Sequence, residues 1–286
     1  HRPSSTCHRV RSQVALQRNT MEQLEEFKNK IGLGKEQPAE QVDIGSAHPP
    51  PPSPLDISKI IKFPRTKHIV NLGAMARDDL LMDKKDIDTM LSSEIIVEEK
   101  IDGANLGFRL DPSTNKIVAQ NRSHYVCSSS HPQFKKLDGW IESNKSGLMK
   151  ILSGGNNIIY GEWLFSKHSI NYTNLPDYFI MFDLYDIGSN TFYSRDWVEK
   201  KIEETGINLV PLIYKGKTTI DKLKTLAQSK SQFYDGVVEG VYVRSCDKKT
   251  NKLKLRAKIV RADFISGDEH WTKGKQTLNI VSKYKN

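Results

Sequence analysis

The tight spacing of strand-like runs is what most constrains the fold of this chain. Ile95–Glu99, Ala104–Leu110 and Ile117–Gln120 are β-branched or alternating runs, separated by only four and six residues. A parallel pair needs a crossover of roughly a dozen residues or more, so gaps this short call for antiparallel neighbours. Further runs follow at Ile158–Leu164, Tyr178–Tyr185, Val237–Arg244 and Lys252–Val260. Helical patterns cover Lys84–Leu91, Phe134–Glu142, Ser146–Leu152, Ser194–Thr205 and Thr219–Lys230. Together these predict an α+β domain of mainly antiparallel sheets flanked by helices.

The region before residue 57 has a different character. Residues 1–20 carry Arg2, Arg9, Arg11 and Arg18 and no acid, a composition shared by transit peptides, by disordered basic leaders and by sequence upstream of a start at Met21. Expected locations are therefore intracellular: cytoplasmic or nuclear, with mitochondrial as the alternative that a transit peptide would bring. Residues 21–33 place Leu24, Phe27 and Ile31 on one helical face, with Gly32 as a stop. Residues 34–56 read as a linker, because the run His48–Pro54 (HPPPPSP) favours a semi-rigid polyproline conformation and cannot join a sheet. A single domain over residues 57–286 is the expected organisation.

With 37% apolar residues the chain can bury a core, and it holds no apolar run of about 18 residues that would span a bilayer. Cys7, Cys127 and Cys246 lie too far apart to form a metal-ligand set. The net charge of +9 is concentrated at the end: from Lys248 onward there are eleven Lys/Arg against three acids. Such a cluster suits a phosphate-rich partner, although a charge run alone is more often a solvated surface.

The most informative chemistry lies where the first strong strand ends, in Ile95-Ile96-Val97-Glu98-Glu99-Lys100-Ile101-Asp102-Gly103-Ala104-Asn105. A lysine leaving an apolar strand at a glycine turn places an amine at a strand end. To act as a nucleophile it needs a lowered pKa, from burial or from neighbouring cations. Alone, the segment is equally a surface lysine in an Asp-Gly turn.

It does not stand alone. Lys-x-Asp-Gly-x-Asn resembles the first motif of the covalent nucleotidyltransferases, the superfamily of ATP-dependent ligases and mRNA capping enzymes. The family's later motifs have counterparts in the same order: Asn121-Arg122-Ser123, Tyr160-Gly161-Glu162-Trp163, the aromatic-bearing Phe179–Leu184, Asp235–Arg244 around Glu239-Gly240, and Leu255–Arg261. Agreement in order and spacing is specific where each motif singly is weak. The resemblance runs from about Phe63 to Phe264 and implies a nucleotidyltransferase (ATP-grasp-like) fold.

It also implies roles. Lys100 would attack the α-phosphorus of ATP and carry AMP. Glu99 and Ile101 would flank it, the Glu99 backbone holding the adenine edge. Asn105 would lie near ribose and phosphates, Arg122 would grip a phosphate, Glu162 would accept from ribose hydroxyls and Phe182 would stack on adenine. Glu239, an acid inside the apolar run VVEGVYV, needs a partner; the lysine ammonium or a metal-bound water would supply one, with Mg²⁺ or Mn²⁺ as the ion. Arg256 and Lys258, two apart on one strand face, would bind the triphosphate and help depress the pKa of Lys100. Arg256 departs from the lysine usual there. Phe63–Ile69 resembles an N-terminal element of some RNA ligases, which suggests Arg65, Thr66 or His68 near the nucleotide.

Within the superfamily, DNA ligases usually end the first motif in arginine, whereas Asn105 matches the phage-type RNA ligases that seal nicked duplex RNA. Only 28 residues follow Lys258, too few for an oligonucleotide-binding barrel of the kind DNA ligases and capping enzymes append. The expectation is thus an ATP-dependent RNA ligase acting on nicked or bridged ends, with end-processing proteins as candidate partners. The competing expectations are a DNA ligase or GTP-dependent capping-type enzyme, and a nucleic-acid-binding module with a vestigial nucleotide site.

Overall fold

The computed structural model describes residues 57–264 and 276–282. The expected leader, the helix over 21–33, the linker over 34–56 and part of the basic C-terminal stretch lie outside them. Among the described residues no helix is long and apolar enough to cross a membrane.

The element order is α1 (Lys84–Leu91), β1 (Ile95–Lys100), β2 (Ala104–Asp111), β3 (Lys116–Gln120), β4 (Tyr125–Val126), α2 (Leu137–Ser143), α3 (Lys145–Leu152), β5 (Asn157–Trp163), β6 (Phe179–Asp186), β7 (Thr191–Phe192), α4 (Arg195–Ile202), β8 (Asn208–Leu209), β9 (Leu212–Gly216), α5 (Ile220–Leu226), β10 (Gly240–Asp247) and β11 (Lys252–Val260). The strands form two sheets. The first has the order β11-β10-β1-β9; the second has the order β4-β3-β2-β5-β6-β7, with β8 added beside β6. Every pairing is antiparallel except β6–β8. The α+β expectation therefore holds.

Each sheet buries one face against helices. Leu106, Phe108, Ile159 and Met181 of the second sheet pack on Leu137 and Trp140 of α2 and on Leu148, Ile151 and Leu152 of α3. Ile95, Val97, Val241, Val243, Ala257 and Ile259 of the first sheet pack with Met90 of α1 and Leu223 of α5. The helices stop where the backbone chemistry demands it. The pattern over Ser194–Thr205 ends at Ile202 because Glu204 (φ 58°) and Gly206 (φ 74°) take left-handed conformations. The pattern over Phe134–Glu142 divides between a 3₁₀ turn, Pro132–Phe134, opened by Pro132, and α2 from Leu137.

The expected strand Val237–Arg244 begins only at Gly240. Val237 bridges Lys230, and the Val238 N–H donates to the Ser229 carbonyl at 3.0 Å, so these residues turn away from the sheet. Glu239 consequently stands just before β10 rather than inside it.

The connection that matters most is β1 to β2. β1 belongs to the first sheet and β2 to the second, so the chain changes sheets across Ile101–Gly103. The last residue of β1, Lys100, stands at that crossing. Two glycines permit the close approach of neighbouring backbone. A Cβ at Gly161 would lie 2.4 Å from the Ile180 carbonyl, where the β5–β6 register shifts. A Cβ at Gly240 would lie 2.1 Å from the Ile259 carbonyl. These contacts are to backbone, which cannot swing aside. Gly161→Ala is therefore expected to cost about 1–3 kcal/mol, read as a fall of several degrees in the thermal unfolding midpoint. An unchanged midpoint would show that the β5–β6 approach can accommodate a methyl group.

Candidate active site

The sheet crossing is fixed by Asp102. Its Oδ2 accepts from the N–H groups of Ser169 (2.6 Å) and Ile170 (2.9 Å), and its own N–H donates to the Tyr172 hydroxyl at 2.9 Å. Sequence reasoning gave Asp102 no role beyond the turn, and nothing local could have disclosed these partners, which lie 67 to 70 residues away.

Lys100 Nζ lies 2.7 Å from both carboxylate oxygens of Glu239. Burial pulls the ammonium's pKa down, but Glu239, then Glu162 and Asp102, outweigh it and hold the pKa above its ordinary value. This corrects the expectation that Arg256 and Lys258 depress it. Both cations are engaged by other carboxylates, and the lysine's own neighbours are acids. In this state Lys100 is an ion-paired cation, not a free amine. Glu239 in turn has a raised pKa, from burial first and Asp102 next, opposed by Lys100 and Lys258.

The second sheet supplies the opposite wall. Asn105 on β2 is the cross-strand partner of Glu162 on β5. Glu162 is pushed well above the usual carboxylate range by burial, with Glu239 and Asp102 adding to the rise and Lys100 and Arg122 opposing it. Its Oε2 is buried with no hydrogen-bond partner among the described residues. A buried oxygen of this kind calls for a ligand. Arg122 sits on the loop after β3. Asn121 Oδ1 accepts from the N–H groups of Ser123 (2.9 Å) and His124 (2.8 Å), a turn that leaves Arg122 exposed at its tip.

One pocket is lined by Lys100, Glu99, Ile101, Asn105, Arg122, Glu162, Phe182 and Lys258, gathering most of the expected residues. It also takes in Phe63, Thr66, Glu98, Val210 and Tyr242. Of these, sequence reasoning had flagged only Thr66. The Phe63 ring packs edge-on against Phe182, with centroids 5.0 Å apart, and fixes that ring's tilt. Thr66 Oγ1 and the Tyr242 hydroxyl share a short hydrogen bond. Arg65 instead forms an exposed ion pair with Asp78, and His68 is buried beside Asp79.

The Glu99 carboxylate is buried and engaged by the protein itself, accepting from Ser231 Oγ (2.5 Å) and the Gln232 N–H (3.3 Å). Its N–H donates to the Pro211 carbonyl at 3.0 Å, so that donor is already engaged. Arg256 is also placed otherwise than expected. It donates to Asp183 Oδ2 at 3.0 Å, and its guanidinium lies 3.7 Å from the Phe192 ring centroid and 4.8 Å from that of Phe63. It shares a strand face with Lys258 but braces the pocket from behind. No group of three or more His, Cys, Asp or Glu side chains poised for a metal occurs among the described residues.

Comparison with known proteins gives this geometry a context. The RNA ligase family model matches residues 93–260. Among solved structures, an alanine mutant of a Naegleria gruberi RNA ligase with ATP and Mn superposes with a TM-score of 0.53 at 17% identity, covering 71% of this chain and 56% of that one. The same ligase with pyrophosphate gives 0.53 at 17%, covering 75% and 61%. An alanine mutant with AMP and Mn gives 0.51 at 15%, covering 71% and 56%. At these identities the likeness is one of fold, and the chain spans 56% to 61% of the length of those ligases. No curated protein sequence matches the chain.

The Lys100–Glu239 pair generates a pH prediction. Glu239→Gln removes the largest influence that raises the ammonium's pKa and leaves burial, which lowers it. The Lys100 pKa, followed by NMR of the lysine side chain without nucleotide, should fall in Glu239→Gln, so that the ammonium titrates at lower pH than in the wild type. An identical titration in both proteins would mean that the pair does not form in solution.

Proposed function

The chain belongs to the RNA ligase family, and from that premise we propose that it is an ATP-dependent RNA ligase joining a 5′-phosphate to a 3′-hydroxyl through a lysyl-AMP at Lys100. The observation that carries this reading is the pairing of Lys100 with Glu239 at the crossing between two sheets, where Lys100 lines one pocket with Glu162, Phe182, Asn105, Arg122 and Lys258.

The steps follow from charge and reach. Lys100 Nζ forms a bond to the α-phosphorus, the bond from that phosphorus to the bridging oxygen breaks, and pyrophosphate leaves. Before the attack the ammonium loses a proton to solvent water, which reaches its partly exposed side chain, and Glu239 has to release its hold on it. Phe182, braced by Phe63, offers a face for adenine, and Ile101 lines the same pocket. Asn105 and Glu162 stand side by side where ribose hydroxyls and phosphate oxygens need polar partners. Arg122 and Lys258 supply positive charge for phosphate. AMP then passes to the RNA 5′-phosphate, and the 3′-hydroxyl attacks that phosphate with loss of AMP.

A divalent ion, Mg²⁺ or Mn²⁺, fits these residues. Glu239 and the unpartnered Glu162 Oε2 are hard oxygen donors, too few to hold an ion alone and suited to one shared with the substrate's phosphates. When bound, it would offset triphosphate charge and compete for Glu239. The Naegleria gruberi ligases, solved with ATP and Mn and with pyrophosphate, bind the same classes of ligand. RNA is favoured over DNA by the family and by asparagine at position 105. Nicked or bridged ends are the proposed substrates, with end-processing enzymes as partners.

Incubation with α-labelled ATP and Mg²⁺ should label the denatured wild-type chain and leave Lys100→Ala unlabelled. Glu239→Ala and Lys258→Ala should reduce labelling by about a hundredfold or more. GTP should not substitute, and nicked RNA should be sealed in preference to nicked DNA. Label on both wild type and Lys100→Ala, or on neither, would sink the mechanism; sealing of DNA alone would sink the substrate.

A further inference from the structure

Lys258 is not free to meet a phosphate in this state, because its Nζ donates to Asp79 Oδ1 at 2.8 Å. Asp79 is itself held by a compact loop. Its Oδ2 accepts from the Ala76 N–H at 3.0 Å, its own N–H donates to the Ala76 carbonyl at 3.1 Å, and His68 Nε2 lies 3.2 Å from Oδ2. That loop is tied to the strand carrying Lys258. The Ile69 N–H donates to the Lys258 carbonyl (3.0 Å), the Lys258 N–H to the Lys67 carbonyl (2.9 Å), and the His68 N–H to the Leu80 carbonyl (2.7 Å). Backbone pairing thus fixes both partners of the ion pair. Burial would raise the Asp79 pKa, but hydrogen bonds from Lys258 and Ala76 hold it at about 2, so Asp79 is an anion at any working pH.

We propose that Asp79 competes with the phosphates of the nucleotide for Lys258, and that pyrophosphate leaves as Lys258 returns to this resident carboxylate. The proposal rests on the reading of the pocket as an ATP site and assigns a positioning role to a residue outside the matched segment 93–260. The physical ground is charge balance. Lys258 paired with Asp79 is net neutral, so an arriving triphosphate gains only the difference between its own hold on the ammonium and that of Asp79. The same balance favours departure of pyrophosphate, since the ammonium never has to stand unpaired in a partly buried place.

Binding can be measured apart from chemistry in the Lys100→Ala protein, which cannot form the lysyl-AMP. MgATP, magnesium pyrophosphate and adenosine would each be titrated calorimetrically, with and without Asp79→Asn. ATP and pyrophosphate should bind about tenfold more tightly once Asp79 is neutral, while adenosine, lacking phosphate, stays within about twofold. Adding Lys258→Met should abolish the gain, because Asp79 then has nothing to compete for. Pyrophosphate binding that is unchanged or weaker in Asp79→Asn overturns the proposal, and so does a gain that survives Lys258→Met. Asp79→Ser, which keeps an acceptor for the Ala76 N–H, serves the same comparison if the asparagine variant does not fold. Failure of the Lys100→Ala protein to bind ATP with Asp79 intact would remove the nucleotide site itself and this inference with it. ATP binding indifferent to Asp79 would remove this inference alone.

Discussion

The two sheets are held at a fixed separation by a buried ion network, and the pocket exists because of it. Arg244 on β10 donates to Glu98 Oε2 on β1 (2.6 Å), to Asp183 Oδ1 on β6 (2.7 Å) and to the Phe182 carbonyl (2.8 Å). Arg256 reaches the second oxygen of Asp183, and Arg195 on α4 donates to Glu98 Oε1 at 2.8 Å. Asp183 and Arg244 are 1% and 2% exposed, so each charge depends on the others for solvation. A buried network adds little net stability against an apolar equivalent, but removing one member strands its partner at a cost of about 3–5 kcal/mol. Its worth here lies in geometry. The fork of Arg244 spans from one sheet to the other and ends on the carbonyl of Phe182, so the pocket's aromatic wall hangs from the same guanidinium that joins the sheets.

Above that floor the charges are arranged in layers. Asp102, Glu162 and Glu239 surround Lys100, three carboxylates to one ammonium; burial first, and the neighbouring carboxylates after it, raise the pKa values of Glu162 and Glu239. Arg122 lies exposed on the loop after β3, and Lys258 is paired with Asp79. The surplus of acids also explains why Lys100 is held protonated in the absence of substrate. A neutral amine in so acidic a pocket would leave Glu239 without its partner.

The sequence disclosed the frame of the site because the frame is made of strand ends. Lys100, Glu162 and Lys258 each sit in a patterned strand, and the order of those strands along the chain is what a sheet topology preserves. Glu239 stood out as an acid among β-branched residues, although its strand starts one residue later. By the same signal Asp183 in FIMFDLYD and Arg244 in GVYVRSCD were open to notice as charges in apolar strands that must find each other. What no local pattern could give was the pairing itself. Arg256 and Lys258 look equivalent along β11, yet one meets Asp183 across the sheet gap and the other meets Asp79 on a loop. Their different duties arise from tertiary contacts 73 and 179 residues away in sequence.

The segment before α1 makes the same point about where a site ends. The second sheet grips it through polar side chains: the Tyr160 hydroxyl (2.6 Å) and Gln120 Nε2 (2.7 Å) both donate to the Ile61 carbonyl, and the Tyr125 hydroxyl donates to that of Ile57 at 2.6 Å. Buried Arg109 adds a bond to the Lys59 carbonyl at 3.2 Å. Anchored there, the chain delivers Phe63 against Phe182, then Thr66 against Tyr242, and continues along β11 to the loop of Asp79. Two pocket-lining residues, Phe63 and Thr66, and the partner of a third, Lys258, thus come from a stretch with little regular secondary structure. Its backbone polar groups are satisfied by side chains of the sheet instead of a ladder, which makes those side chains part of the pocket's architecture even though none of Tyr125, Gln120 or Arg109 lines it.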